Sequence, residues 1–310
     1  MSVTGATAGR GIRLRGRRDP LQRPWRRRLP LLPALVFVLV VTQIPFVLSV
    51  WYSFTDWTII PPQPREFVGI DNYRSLVSDP FFRDAVWTSV VMTVSAVLVS
   101  LVLGTLLAVL LDRRFLGRGI VRTMLITPFL IMPVVAGLIW KNQMFSDLYG
   151  VVNWVLEKLG LDSIDFVSTH PTFSIVTVLV WQWTPFMMLI VLAGLQSQPS
   201  DVLEAAKVDG ASAFGIFRQL TLPHLRRYME LGALLGTIYL VQVFDQIAVM
   251  TGGGPGSTNV PYFVYQASIG GGWTFGLASA YAIVVVLASI VIATIALRLL
   301  SKLLQGPEAA

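Results

Sequence analysis

Trp181, Gln182, Trp183 and Thr184 place two indole rings, an amide and a hydroxyl in consecutive positions. Aromatic rings stack on the apolar faces of sugars and amides bond hydroxyls, so the cluster suits a polyhydroxylated solute. An interfacial aromatic belt is the other reading of tryptophans in an apolar stretch. Tyr239, Gln242, Asp245 and Gln246 recur at i, i+3, i+6 and i+7, which puts them near one face of a helix. An ionised residue at mid-bilayer costs on the order of 2.5–3.5 kcal/mol on insertion scales. Asp245 therefore calls for a water-accessible path or solute site, or for a structural partner on a neighbouring helix or at the interface. Both readings stay open.

Bond-breaking chemistry finds little support. There is no Gly-x-x-x-x-Gly-Lys-Ser/Thr phosphate loop, no His-Glu-x-x-His and no Gly-x-Ser-x-Gly elbow. The chain has no cysteine, which excludes disulfides and thiolate ligands. His170 and His224 fall on opposite sides of the membrane in the topology below and cannot share a metal. Asp56, Glu66, Asp71, Asp79 and Asp84 lie in or beside one loop, but helix capping and solvation explain them more simply than an acid–base pair. No catalytic residue, metal or cofactor is expected on this chain.

The elements that must position these residues are membrane helices. Of 310 residues, 54% are hydrophobic and 13% charged, against about 25% charged in an ordinary globular domain; the mean hydropathy is +0.67. Apolar runs at about 31–51, 86–111, 120–140, 172–195, 228–249 and 277–300 each reach the roughly 20 residues a span needs. Helices are expected because lipid offers the backbone no hydrogen-bond partner, and no run alternates as a barrel strand does. The fold class read from this is all-α and integral to a membrane, with six transmembrane helices. Residues 31–305 form the membrane domain between a basic tail, 1–30, and a short C-terminal tail, 306–310.

Nineteen of the lysines and arginines fall on one side of this topology and five on the other. The positive-inside rule then places both termini and the 196–227 loop in the cytoplasm. Nine arginines within residues 10–28 supply most of the net charge of +7. Next to an apolar run they read as a disordered topology determinant or an anionic-lipid contact, not as a nucleic-acid site. The run that follows is too long for a signal-peptide h-region, and no small-x-small site closes it.

Other local signals refine the picture. Asp71-Asn72-Tyr73 and Asp79-Pro80 read as helix starts, and Gly252-Gly-Gly-Pro-Gly256 as a turn. Gly232 and Gly236 permit a close helix approach. Pro128, Pro133 and Pro185 should kink or locally open their helices.

One loop is unusually structured for a membrane chain. Asp201 is expected to cap a helix over about 202–208, with Glu204 at its third position. Gly210 should stop that helix. Ser212 should cap a second short helix, which Pro223 ends before the fifth span. Ala205 and Ala206 allow a partner surface to come close. Such a protrusion between the fourth and fifth spans is a docking surface.

Glu204-Ala205-Ala206, Gly210 after three intervening residues, and Leu220-x-Leu222-Pro223 after nine more resemble the Glu-Ala-Ala…Gly…Ile-x-Leu-Pro loop of binding-protein-dependent ABC importer permeases. Leu220 stands where isoleucine is usual. Asp209-Gly210-Ala211-Ser212, Ala193-Gly-Leu-Gln196, Phe67-Val-Gly-Ile-Asp-Asn-Tyr73, Thr184-Pro185-Phe186 and Phe244-Asp245 ahead of Thr251-Gly-Gly-Gly-Pro255 resemble the carbohydrate-uptake subfamily (maltose, glycerol-phosphate and polyol type). The resemblance covers about residues 31–300.

It implies a type I importer permease architecture in a bacterial-type cytoplasmic (inner) membrane, with loop 199–223 as a coupling helix. Asp201, Glu204, Ala205, Ala206, Asp209, Gly210, Ala211, Leu222 and Pro223 are then the residues facing a separate cytoplasmic ATPase dimer. The other implied partners are a second, usually non-identical permease and an extracytoplasmic solute-binding protein. The cargo would be a sugar, oligosaccharide or polyol, with Trp181, Gln182, Tyr239, Gln242, Asp245 and Gln246 as candidate contacts. A stand-alone secondary transporter or channel is the alternative. It would need a coupling-ion site, for which Asp245, and Glu230 near the inner end, are the carboxylates inside a span.

Overall fold

The computed structural model describes residues 29–113 and 115–304; the arginine-rich stretch 10–28 and the tail 306–310 lie outside them. The described residues divide into two units, one ending at Ser49 and the other beginning at Val50. Helix α1, Leu32–Tyr52, matches the first apolar run and extends from the first unit to the start of the second.

The second unit is almost wholly helical. A minimal antiparallel pair, β1 (Thr55–Asp56) and β2 (Glu66–Phe67), precedes α2, Asp71–Ser78. Asp79 then caps α3, Pro80–Asp112, accepting from the Phe81 N–H at 2.9 Å. With Pro80 pre-set at the first helical position, α3 starts six residues before the apolar run does. Its 33 residues extend about 50 Å at ~1.5 Å each.

The third apolar run is not one helix. It forms α4, Arg118–Leu130, and α5, Pro133–Ile139, the latter continued by a π-turn at Trp140–Met144. The two halves are bent by 100°, so the proline effect is a full break. Two short helices, α6 (Val151–Lys158) and α7 (Phe166–Thr169), lead into α8, Pro171–Gln196. Pro185 leaves α8 unbroken. Helix α8 is apolar around most of its circumference, as suits a largely buried helix, and Ile175, Val178, Leu179, Met187, Met188 and Val191 along it are completely buried.

Next come α9 (Ser200–Val208), α10 (Ala213–Ile216) with a π-turn at Phe217–Thr221, and α11 (Leu222–Leu240). The fifth run also departs from expectation: α11 ends at Leu240 and a separate α12 spans Asp245–Met250. Helix α13, Val260–Ser268, fills part of the glycine-rich loop, and α14, Phe275–Leu304, covers the last run.

Both breaks have the same physical remedy. Away from water a carbonyl released from a helix ladder needs another donor. At the α4–α5 break the Gln182 Nε2 amide donates to the Ile131 carbonyl at 2.7 Å. At the α11–α12 break the Asn259 amide donates to the Val243 carbonyl. The same Asn259 accepts from the Tyr262 N–H at 3.0 Å and so caps α13.

Close packing gathers at Met187. A Cβ built at Gly104 of α3 would lie 2.7 Å from Met187 Cβ and 2.7 Å from the Met188 nitrogen. One at Gly236 would lie 2.5 Å from Met187 Cε, and one at Gly232 3.1 Å from its sulfur. The Gly232-x-x-x-Gly236 motif thus receives α8. Among the described residues three single helices can cross a bilayer by length and composition, and four if the bent pair counts as one span.

Candidate functional site

Loop helix α9 is built by its sequence to end sharply. Gly210 has φ +80°, the left-handed conformation glycine adopts without strain. The Ala211 N–H bonds the Ala206 carbonyl at 3.0 Å and the Gly210 N–H bonds that of Lys207 at 3.1 Å. These are the two bonds of a Schellman cap. The start differs from expectation. The helix begins at Ser200, Pro199 holds the cap position with no side-chain bond, and Asp201 sits inside the first turn, where its charge still favours the helix dipole. The Ser200 hydroxyl donates to the Asp201 carboxylate at 3.3 Å.

No residue of α9 is buried. Glu204, Ala205, Asp209 and Ala211 are exposed. So are Val208 (87%) and, on α10, Phe214 (71%).

Ser212 does cap the following segment, accepting from the Gly215 N–H at 3.1 Å. That segment does not stop at Pro223. It passes through the π-turn into α11, where Leu222 and Pro223 occupy the first turn, positions at which proline's missing N–H is no loss. The arm is therefore continuous with α11.

At the base of the arm, α8 and α11 are tied by side chains that sequence reasoning did not single out. The Ser197 hydroxyl donates to the Gly194 carbonyl at 2.8 Å and lies 2.7 Å from the Tyr228 hydroxyl. His224 Nε2 is 3.1 Å from the same carbonyl and 3.1 Å from Ser197 Oγ. The i, i+4 spacing of His224 and Tyr228 on α11 was the available signal.

The candidate solute contacts do not form one stripe, because the chain breaks between Leu240 and Asp245. Gln182 and Gln246 are buried and bonded to each other, Gln246 Nε2 donating to Gln182 Oε1 at 2.9 Å. Trp181 packs edge-on to Trp140 at 5.7 Å. Trp183 lies 5.6 Å from the ring of Tyr239, which is 60% exposed. Gln242, also exposed, folds back onto the Ile238 carbonyl at 3.0 Å. Asp245 is half-buried in the first turn of α12, where the helix dipole favours a carboxylate. Glu230 is paired with Arg226 at 2.9 Å. The arrangement thus separates a buried amide pair from the more accessible aromatic pair Trp183 and Tyr239.

At the far end of α8 from the arm, a polar cleft of about 510 Å³ is lined by Lys141, Asn142, Asp147, Asp165 and Ser257. Lys141 donates to the Val249 carbonyl at 3.2 Å. Asp165 caps α7 through the Ser168 N–H at 3.0 Å, and Ser168, by side chain and backbone, holds that carboxyl below the ordinary aspartate range. Among the described residues no group of His, Asp and Glu could hold a metal ion.

Residues 100–305 match the family model described as binding-protein-dependent transport system inner membrane component. The chain is 40% identical over 235 residues to the trehalose/maltose transport system permease protein MalF of Thermococcus litoralis, covering 74% of this chain and 77% of that one. It is 32% identical over 277 residues to the trehalose transport system permease protein SugA of Mycobacterium tuberculosis, covering 89% of each. Among solved structures it shares the fold of a chain of a bacterial ABC transporter involved in the import of the acidic polysaccharide alginate, with a TM-score of 0.78 at 21% identity over 91% of this chain and 97% of that chain. The fold is that of type I ABC importer permeases. With an exposed, sharply capped helix where the motif falls and a family match over most of its length, the chain belongs to the binding-protein-dependent transport system inner membrane components, as a multi-pass permease subunit.

Proposed function

We propose that this chain forms half of the translocation pore of an ATP-driven importer whose cargo is a neutral carbohydrate: a sugar, oligosaccharide or polyol. The observation that carries this is α9. A helix with no buried residue and with apolar and acidic side chains presented outward, on a chain without a phosphate loop, supports docking to a separate ATPase dimer. Relatives named for trehalose and maltose transport support the cargo class. The Trp183–Tyr239 aromatic pair suits sugar rings, and Asp245 lies beyond the break that ends α11. The remaining partners in this reading are a second, non-identical permease, a solute-binding protein on the outer face, and membrane lipid.

The reading includes six spans with both termini in the cytoplasm. The charge bias across the loops supports it. The bent α4–α5 pair would then serve as the third span and α11 with α12 as the fifth, irregular backbone being tolerated where it is buried in protein. The Arg226–Glu230 pair takes one carboxylate away from a stand-alone ion-coupled carrier.

The test is a solute screen on the assembled complex of this chain, its ATPase, the second permease and the binding protein. Trehalose, maltose, sorbitol and glycerol phosphate are added in turn and ATP hydrolysis is followed. A neutral carbohydrate is expected to stimulate hydrolysis severalfold. Stimulation by glycerol phosphate alone would contradict the neutral cargo.

A further inference from the structure

Resting on the importer reading above, we propose that His224 and Tyr228 are positioning residues that lock the base of the coupling arm, so that a push on α9 moves α8 and α11 as one body. The chain joins the arm to the bundle through the short link Ser197–Pro199 after α8 and through the π-turn Phe217–Thr221 before α11. A π-turn is a local widening of the helix and is often found at functional sites. A force on α9 would bend the arm there unless the two helices were joined below it.

The joint is a closed hydrogen-bond network. The Gly194 carbonyl can only accept, so His224 carries its proton on Nε2 and donates at 3.1 Å. The Ser197 hydroxyl gives its own proton to the same carbonyl at 2.8 Å. Ser197 Oγ therefore accepts from the Tyr228 hydroxyl at 2.7 Å. The Gly194 carbonyl, in the last turn of α8, also takes the Ser197 N–H at 3.2 Å, so the network adds groups from α11 to the C-terminal cap of α8. Gly194 itself permits the contact. A Cβ there would fall 2.7 Å from the Tyr228 ring and 2.9 Å from Leu225 Cδ2. No α8–α11 bond in this network uses a backbone donor, so side-chain substitution opens it.

The experiment uses the complete importer in liposomes. It measures radiolabelled uptake of the sugar that best stimulates hydrolysis in the screen, together with ATP consumed. Tyr228→Phe keeps the ring and removes the hydroxyl; His224→Ala removes the ring donor; His224→Gln keeps an amide donor. Tyr228→Phe and His224→Ala are expected to import about fivefold less solute per ATP, the factor for one net hydrogen bond of about 1 kcal/mol. His224→Gln is expected to recover most of the ratio. A wild-type ratio in both Tyr228→Phe and His224→Ala overturns the proposal. So does a fall in ATP hydrolysis that leaves the ratio unchanged, which is a docking or folding defect. A wild-type complex that imports nothing overturns the importer reading itself, and so separates the two failures.

Discussion

Glu204→Ala and Gly210→Ala each stop ATP-driven import while the binding protein still captures solute. Glu204 is exposed and makes no side-chain hydrogen bond or ion pair among the described residues. A surface substitution of that kind changes stability by about 0.5 kcal/mol or less. A large functional loss therefore has to come from a partner. A charge whose interface partner is left buried and unpaired costs roughly 2–5 kcal/mol, which is about thirtyfold or more in affinity. Gly210 acts through the backbone. Alanine at its φ of +80° is strained by about 1–2 kcal/mol, enough to loosen the Schellman cap and re-aim the end of α9. Uptake and ATP hydrolysis measured together in the reconstituted complex check both. Normal transport by the two variants would mean that this surface does not transmit the stroke.

Gly104→Val disrupts the fold itself. The added Cβ would meet the Met187 Cβ and the Met188 backbone nitrogen, both at 2.7 Å. A flexible side chain could give way, but the backbone at Met187 and Met188, whose side chains are completely buried, has little room to move. Overpacking typically costs 1–3 kcal/mol and occasionally more, and at a helix–helix contact held by backbone the upper end, roughly 3 kcal/mol, is expected. The purified variant should melt well below the wild type and accumulate poorly in the membrane. Gly119→Ala is the control, because a Cβ there meets nothing within 4 Å. Equal melting temperatures for Gly104→Val and the control would contradict the α3–α8 packing described.

Hydropathy located α1, α3, α8 and α14 because each is a single uninterrupted apolar segment. It joined α4 to α5 and α11 to α12 because apolar content continues across both breaks. What opens these helices is tertiary: side-chain amides from Gln182 and Asn259 take over the freed carbonyls. Single-sequence periodicity cannot see a bond between residues 51 apart. Pro133 marked the first break in the sequence, but it does not say what lies beyond it.

The same break explains why the Tyr239–Gln246 spacing misled. Helical positions share a face only while the helix lasts, and this one ends at Leu240. Gly210 was legible because its requirement is local: a helix stop needs a left-handed residue. The start at Ser200 was not, because Pro199, Ser200 and Asp201 all suit the first turn and side-chain chemistry alone does not rank them. His224 and Ser197, 27 residues apart, become neighbours only when α8 and α11 pack.

Uptake by proteoliposomes tests the central claim most directly: that motion made by a separate ATPase enters this pore through α9. Radiolabelled carbohydrate is followed into vesicles holding either the complete importer or this chain alone, with ATP or with an ion gradient as the energy source. The account predicts uptake only by the complete complex and only with ATP. Accumulation by the isolated chain down an ion gradient would contradict it.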